Sequence, residues 1–119
     1  MNSGLVMLQT TINCLNHTLY QYVEPSSLLS WQRVRVANQM AKNGPEWGEY
    51  SMRYNSGTYN NQYMVIDTNL FTVGEPLKDN TLTVVEQMPN NVAVGDQLAV
   101  RNLFDNLLKS CLCLNLRTS

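Results

Sequence analysis

The sequence predicts an α+β fold. Two apolar segments with the composition of β-strands lie in the middle of the chain, stretches with helical periodicity lie on either side of them, and 44% of the residues are hydrophobic. The length of 119 residues fits one modest domain or a piece of a larger one. A compact chain of this size buries roughly two-thirds of its unfolded surface, which is enough for a hydrophobic core.

The first half of the chain predicts a strand followed by a helix. Residues 5–12 are apolar and rich in β-forming side chains, which favours a strand. A helical pattern covers about residues 25–42 and ends at an Asn-Gly pair. Its apolar positions form one continuous arc. Arg33 projects from within that arc, whereas Arg35 lies on the polar side.

The second half predicts two strands between helices. A shorter helix is expected at residues 45–53, followed by turn-forming residues at 55–58. Residues 62–67 and 81–88 predict strands that pair with each other, and the first of them has apolar side chains on both faces. Residues 96–114 predict an amphipathic helix.

Charge and composition exclude several classes of function. Eight Lys and Arg against nine Asp and Glu leave a net charge of −1, so no basic field is present to hold nucleic acid or an anionic membrane. Residues 1–12 lack the pattern of a signal peptide, and no apolar run reaches the ~18 residues of a transmembrane segment. His17 is the sole histidine, so a multi-histidine metal site cannot form within this chain and no metal is expected.

Cysteine chemistry is not indicated by the residues themselves. Three cysteines, Cys14, Cys111 and Cys113, do not make a disulfide framework. Cys14 follows an apolar strand and is expected to pack in a core. His17 is expected at the surface, and Asn16-His17-Thr18 is a valid acceptor for N-glycosylation.

Two features are candidates for a functional site. The segment 54–62, YNSGTYNNQ, places asparagine amides at the entrance to a predicted buried strand, where they could donate hydrogen bonds to a developing oxyanion. The alternative is a tight turn whose asparagines bond their own backbone. The second feature is Arg33, which needs a carboxylate or carbonyl partner on an apolar helix face. Asp67 or Glu86 could make a structural ion pair with it, and the other alternative is that its charged end reaches the edge of the core.

Three gap-free strings carry a resemblance to a known family. They are residues 27–38, SLLSWQRVRVAN, residues 54–65, YNSGTYNNQYMV, and residues 85–89, VEQMP. Together they resemble the phospholipase B-like family, also called the lamina-ancestor family. The resemblance extends from about Met7 to about Val100.

This resemblance implies a fold and an activity. The family has the N-terminal-nucleophile hydrolase fold, an αββα sandwich of two antiparallel sheets between helices. Its members are glycosylated lysosomal or secreted proteins that resemble amidases acting on acyl-amide or acyl-ester bonds of lipids. They use no cofactor: an N-terminal Cys, exposed by internal cleavage, attacks the carbonyl, and its own α-amine is the base.

The resemblance also assigns roles to residues of this chain. It implies that Asn60 or Asn61 supplies the amide that binds the oxyanion or the substrate carbonyl, and that Asn16 carries a glycan. Asn55, Thr58 and Tyr59 would shape the turn, with Arg33 in support. The nucleophilic Cys belongs to a segment that precedes anything in this chain, and Cys14 is not assigned that role.

The resemblance divides the chain into two parts. Residues 1–100 are expected to be an internal segment of the hydrolase domain, and residues 101–119 a divergent amphipathic tail helix. The expected partners are therefore the remainder of the hydrolase fold and a lipid or N-acyl substrate. The alternative is a non-catalytic fragment, or an interaction glycoprotein derived from the family.

Overall fold

A computed structural model describes residues 3–96. Within this range the chain forms four strands, two α-helices and one short 3₁₀ helix. In chain order they are β1 (Leu5–Thr11), the 3₁₀ helix (His17–Tyr22), α1 (Ser30–Met40), α2 (Gly44–Met52), β2 (Asn61–Asp67), β3 (Leu82–Met88) and β4 (Asn91–Asp96). The predicted α+β class is confirmed. The predicted helix 96–114 lies outside the described residues, apart from Asp96, which ends β4.

The four strands form one antiparallel sheet in the order β1-β2-β3-β4. The predicted pairing of the two central strands is confirmed, since Val65 of β2 lies opposite Thr83 of β3. Strand β4, which the sequence analysis missed, pairs with β3 across a tight turn in which Asn90 has a positive φ of 55°. Its Asn, Gly and Asp residues are poor strand formers, so tertiary pairing and not local preference makes it a strand.

Helix α1 begins five residues later than the pattern predicts. Residues before it do not continue the helix, because the backbone N–H of Leu28 donates to the carbonyl of Tyr54 and forms a parallel bridge to Asn55. The helix then starts after Leu29, whose backbone N–H is capped by Gln32 Oε1 at 2.9 Å. This bridge brings the start of α1 to the asparagine-rich turn.

The hydrophobic core lies between the helices and one face of the sheet. Trp47 of α2 is completely buried and packs on Tyr63 of β2, with ring centroids 5.2 Å apart. A side chain at Gly48 would overlap Val94, so this glycine allows α2 to approach the sheet closely. The buried apolar residues of this core are Leu5, Ala37, Ala41, Trp47, Tyr63, Val65 and Val85.

The opposite face of the sheet is also apolar. Val6 and Leu8 of β1 are exposed there, and they lie opposite Ile66 and Met64 of β2. Met64 and Ile66 are half-buried, whereas the residues alternating with them in β2 are buried. Strand β2 therefore has apolar side chains on both faces, as predicted, but in residues 3–96 helices cover one face only.

The buried hydroxyl of Thr83 indicates a stabilising substitution. Its hydroxyl is buried beside Gly44 and has no hydrogen-bond partner among residues 3–96. Thr83→Val replaces this hydroxyl with a methyl group of similar size, and we expect the free energy of unfolding to rise by about 1 kcal/mol in urea titrations. Thr81→Val is the matched control. The Thr81 hydroxyl donates to the carbonyl of Lys78 at 2.6 Å, so its loss is expected to destabilise. A destabilised Thr83→Val variant would contradict the prediction.

Candidate carbonyl-binding site

The asparagine-rich segment enters β2 through a strained turn. Tyr54 and Tyr59 adopt positive φ values of 57° and 56°, in the left-handed region that non-glycine residues rarely use. Asn55 fixes the turn from both sides: its Oδ1 accepts from the backbone N–H of Gly57 at 3.0 Å, and its Nδ2 donates to the carbonyl of Met88 at 2.8 Å. Asn55 therefore has the turn-forming contacts that the alternative interpretation predicted.

Thr58 and Tyr59 differ in their environment. The Thr58 hydroxyl donates to Ser56 Oγ at 3.0 Å, and its backbone carbonyl accepts from Gln87 Nε2 at 3.0 Å. The Tyr59 side chain is exposed. Both residues line a surface groove, and they directly precede the two asparagines in the chain.

Arg33 is buried, with only 3% of its surface exposed. Its guanidinium donates from Nε to the carbonyl of Leu28 at 3.0 Å, from Nη1 to the carbonyl of Ser51, and from Nη2 to Gln87 Oε1 at 2.8 Å. Burial lowers the pKa of Arg33, and a smaller electrostatic interaction with Tyr63 opposes that shift. Its acceptors are neutral oxygens of three different segments.

The predicted ion pair of Arg33 is wrong. Asp67 accepts hydrogen bonds from Asn69, and Glu86 accepts from Gln62 Nε2 at 2.5 Å. Both carboxylates are therefore engaged elsewhere. The second sequence prediction for this residue, a set of carbonyl partners, is the correct one. A charged end that reaches the edge of the core is likewise not observed, because the guanidinium is enclosed.

Gln87 connects Arg33 to Asn60. It is fully buried in β3, where its Oε1 accepts from Arg33 and its Nε2 donates to the Asn60 Oδ1 at 3.4 Å. Gln87 was not among the residues predicted from the sequence to have a role. Alternation along β3 would have indicated it, since Gln87 is two residues from the core residue Val85 and therefore points toward the helices.

Asn60 and Asn61 have opposite hydrogen-bonding states. Gln87 occupies the oxygen of Asn60, and the Nδ2 of Asn60 has no acceptor among residues 3–96. In Asn61 the nitrogen is occupied: Nδ2 donates to Gln9 Oε1 at 3.4 Å and to the Tyr63 hydroxyl at 3.2 Å. Its Oδ1 is buried without a partner in the described part of the chain. Asn60 therefore has free donor capacity, and Asn61 has free acceptor capacity.

A groove with mainly apolar walls lies beside the turn that leads into these asparagines: Thr58 and Tyr59 line it, whereas Asn60 and Asn61 do not. It has a volume of about 930 Å³ and runs between β1 and α1. Gln9, which bonds Asn61, is on its wall, and so is Ser30, whose hydroxyl is 2.7 Å from the Tyr63 hydroxyl. The apolar walls consist of Met7, Leu8, Leu29, Trp31 and Val34.

The remaining candidate residues lie near the 3₁₀ helix. Asn16 caps this helix, and its Oδ1 accepts from the backbone N–H and the hydroxyl of Thr18 at 3.1 and 2.6 Å. His17 is exposed and Cys14 is buried, both as predicted. The Cys14 thiol donates to the carbonyl of Asn16 at 3.3 Å, and it has no hydrogen bond to a histidine or carboxylate within residues 3–96. Cys111 and Cys113 lie outside the described residues.

Residues 3–96 contain no group of three or more His, Cys, Asp or Glu side chains placed to hold a metal ion. The same part of the chain has no helix with the length and apolar character needed to cross a membrane.

The family model named Phospholipase B matches residues 1–102. The chain belongs to the phospholipase B family. It is 54% identical over 100 residues to Phospholipase B-like 1 of Bos taurus, 47% identical over 100 residues to Phospholipase-B 81 of Drysdalia coronoides, and 48% identical over 100 residues to Phospholipase B of Crotalus adamanteus. Each match covers 84% of this chain and 18% of the relative.

The predicted resemblance to the phospholipase B-like family is confirmed. The candidate carbonyl-binding site lies within the residues that the phospholipase B match covers. The chain spans about a fifth of the length of these phospholipase B relatives, 18% in each case. The assignment of residues 101–119 to a divergent amphipathic tail helix stays a prediction.

Proposed function

We propose that this chain supplies the carbonyl-binding part of a phospholipase B-like hydrolase that cleaves acyl-ester or acyl-amide bonds of lipids. The observation that carries the proposal is the Nδ2 of Asn60, which has no acceptor within residues 3–96 and belongs to the residue directly after Tyr59, on the wall of a groove with mainly apolar walls. When a nucleophile attacks a carbonyl carbon, negative charge develops on the carbonyl oxygen. An amide N–H already aimed at that oxygen stabilises the transition state without having to reorient.

Asn60 is the better donor of the two asparagines. Its oxygen already accepts from Gln87, so its nitrogen is the atom left for a substrate. The nitrogen of Asn61 already donates to Gln9 and Tyr63. To bind an oxyanion, Asn61 would first have to break these bonds. We therefore assign the oxyanion to Asn60, and to Asn61 the role of holding Gln9 and Tyr63 beside it.

The groove fits the acyl part of the substrate. Its apolar walls would remove an alkyl chain from water, at about 25 cal/mol for each Å² of apolar surface buried. Gln9 lies on the wall of the groove and accepts from Asn61, so a substrate carbonyl at the Gln9 end of the groove would lie near the asparagine pair. Leu29 and Trp31, from the start of α1, would contact the chain.

The nucleophile is proposed to come from another segment. In the family mechanism, an N-terminal Cys attacks the carbonyl and its α-amine accepts the proton. Cys14 is unsuited to this role, because its thiol is buried and is hydrogen-bonded to no base in the described part of the chain. The apolar outer face of the sheet, with exposed Val6 and Leu8, supports a second layer packed against it, as in an αββα sandwich.

A lysosomal or secreted location is proposed from the family and from one contact. Asn16 lies at the surface end of the 3₁₀ helix with the Thr18 hydroxyl bonded to its amide oxygen, and its Nδ2 remains unbonded within residues 3–96. A glycan on this nitrogen would extend into solvent. Treating the secreted protein with an amidase that removes N-glycans would reduce its mass, and Asn16→Gln would abolish that shift.

The test of the proposed function is a graft. Residues 1–102 of this chain would replace the homologous segment of bovine Phospholipase B-like 1, and release of fatty acid from phospholipid and N-acyl substrates would be measured. We expect the graft to hydrolyse at least one of these classes. A graft that folds and matures but releases no fatty acid from either class would contradict the proposal.

The isolated chain is expected to show no hydrolysis of the same substrates, because the proposed nucleophile is on another segment. Turnover by residues 1–119 that Cys14→Ala abolishes would restore Cys14 as the nucleophile. The same inactivity is what the alternative function predicts, a non-catalytic interaction glycoprotein. The buried Cys14 thiol without a base is the observation that favours it, and the graft separates the two functions.

A further inference from the structure

We infer that Arg33 and Gln87 are positioning residues that fix which end of the Asn60 amide faces the substrate. The inference rests on the proposed function of Asn60 and adds the contacts that orient its amide group. Its basis is a chain of hydrogen bonds from the Arg33 guanidinium through Gln87 to the Asn60 oxygen, with heavy-atom distances of 2.8 and 3.4 Å.

The donor-to-acceptor direction of these hydrogen bonds is set by the chemistry of the Arg33 guanidinium. A guanidinium has five N–H donors and no acceptor, and it keeps its proton in proteins. Gln87 must therefore turn its oxygen toward Arg33, which turns its nitrogen toward the Thr58 carbonyl and Asn60. That nitrogen can only donate, so Asn60 must present its oxygen to Gln87. The Nδ2 of Asn60 is then directed away from Gln87.

Arg33 and Gln87 are each held in place by further hydrogen bonds. Arg33 is fixed by the carbonyls of Leu28 and Ser51, which belong to different segments. Gln87 is buried in the sheet, and its nitrogen has a second acceptor, the carbonyl of Thr58. Rotation of the Gln87 amide would place its N–H groups against the guanidinium and its oxygen against a carbonyl. Both new contacts would be repulsive, so this rotation is excluded.

The series of hydrogen bonds from Arg33 to Asn60 also changes the strength of the Asn60 N–H donor. When the oxygen of an amide accepts a hydrogen bond, its N–H groups become better donors, and successive bonds reinforce one another. The buried positive charge of Arg33 contributes in the same direction, because a cation stabilises negative charge that develops nearby. Asn60 is therefore both oriented and polarised toward an oxyanion.

Gln87→Glu tests the orientation directly. The introduced carboxylate would still accept from Arg33, but it has no hydrogen to offer Asn60 and would face the Asn60 oxygen with an acceptor. The Asn60 amide is then expected to rotate and donate its Nδ2 to the carboxylate. In spectra of the ¹⁵N-labelled 119-residue chain, the Asn60 NH₂ signals should move downfield and exchange more slowly with water. Unchanged Asn60 signals would overturn the inference.

The matched control is Gln32→Glu, the same substitution one residue away from Arg33. The Gln32 Oε1 caps the backbone N–H of Leu29, and a carboxylate oxygen can accept that bond equally well. The Asn60 signals are expected to stay in place in this control. If Gln87→Glu prevents folding, Arg33→Lys and Arg33→Met decide instead. The lysine variant keeps a cation that only donates and should keep the Asn60 signals, whereas loss of the cation should shift them. Equal spectra in these two variants would overturn the inference.

Kinetics in the grafted hydrolase separate this inference from the proposed function. Gln87→Glu is expected to lower kcat by about 10²-fold with little change in KM, because it redirects a donor used in the transition state. If Asn60→Asp is strongly impaired but Gln87→Glu has normal kcat and normal Asn60 signals, the positioning role is wrong and the proposed function stands. If Asn60→Asp has normal kcat, the proposed function is wrong, and the spectra still decide the orientation.

Discussion

Asn60→Asp in the grafted hydrolase is expected to lower kcat by about 10²–10³-fold, the usual effect of removing one oxyanion donor. The substitution is nearly isosteric, and an aspartate oxygen can still accept from Gln87 Nε2, so the local hydrogen bonds are kept. What is lost is the N–H group that we propose donates to the substrate oxygen. A negative charge next to the developing oxyanion adds to the loss. KM is expected to change little, because the lost interaction belongs to the transition state.

Asn43→Asp is the control for the change of charge. Asn43 caps α2 through a bond from the backbone N–H of Glu46 to its Oδ1 at 2.9 Å, and aspartate caps helices equally well. Asn43 also lies close to the strand that carries Gln87. The next residue, Gly44, is beside Thr83 of β3, four residues before Gln87. Normal kcat in Asn43→Asp with a large loss in Asn60→Asp is the expected pair of results. Normal kcat in both would refute the role of Asn60, and a defect in Asn61→Asp alone would transfer that role to Asn61.

Trp47→Ala is expected to lower the free energy of unfolding by about 3–5 kcal/mol, the range for large-to-small substitutions of a buried aromatic residue. Trp47 is completely buried, its ring packs on Tyr63, and its Nε1 donates to Asn38 Oδ1 at 2.8 Å. The alanine variant loses this packing and leaves a cavity between α2 and the sheet. It also leaves the Asn38 oxygen without its donor.

Urea titration of the isolated chain measures this effect. Trp31→Ala is the matched control, since Trp31 is 66% exposed and its removal should change the free energy of unfolding by less than about 0.5 kcal/mol. Similar small effects for both tryptophans would show that the isolated chain does not form the core between the helices and the sheet. That result would contradict the fold described for residues 3–96.

The sequence predicts the elements of this fold where one local signal dominates. Strands β1, β2 and β3 lie in apolar segments rich in β-forming residues, and α2 has a proline in its first turn after a capping asparagine, so these four elements are predicted to within one residue at each end. Strand β4 has no such signal. It exists because its backbone completes the hydrogen bonds of β3, which is a property of the tertiary structure.

The candidate site was predictable only in part. Arg33 could be recognised as unusual, because a charge on an apolar helix face must have partners. Which partners it has could not be predicted, since carbonyls of Leu28 and Ser51 come close only after the chain has folded. The same holds for the asparagine pair. The sequence places Asn60 and Asn61 together, but the distinction between a free donor and a free acceptor depends on Gln87, Gln9 and Tyr63.

The central claim is that Asn60 stabilises the oxyanion of the transition state. A fatty aldehyde tests this claim most directly. The enzyme's nucleophile adds to the aldehyde carbonyl and forms a tetrahedral adduct that resembles the transition state. Inhibition constants for the aldehyde and kcat/KM for the substrate would be measured in the grafted hydrolase with Asn60 and with Asp, Ala and Leu in its place. We predict that aldehyde affinity falls in proportion to kcat/KM across this series, while KM stays nearly constant. Aldehyde affinity that remains unchanged as kcat/KM falls would contradict the account.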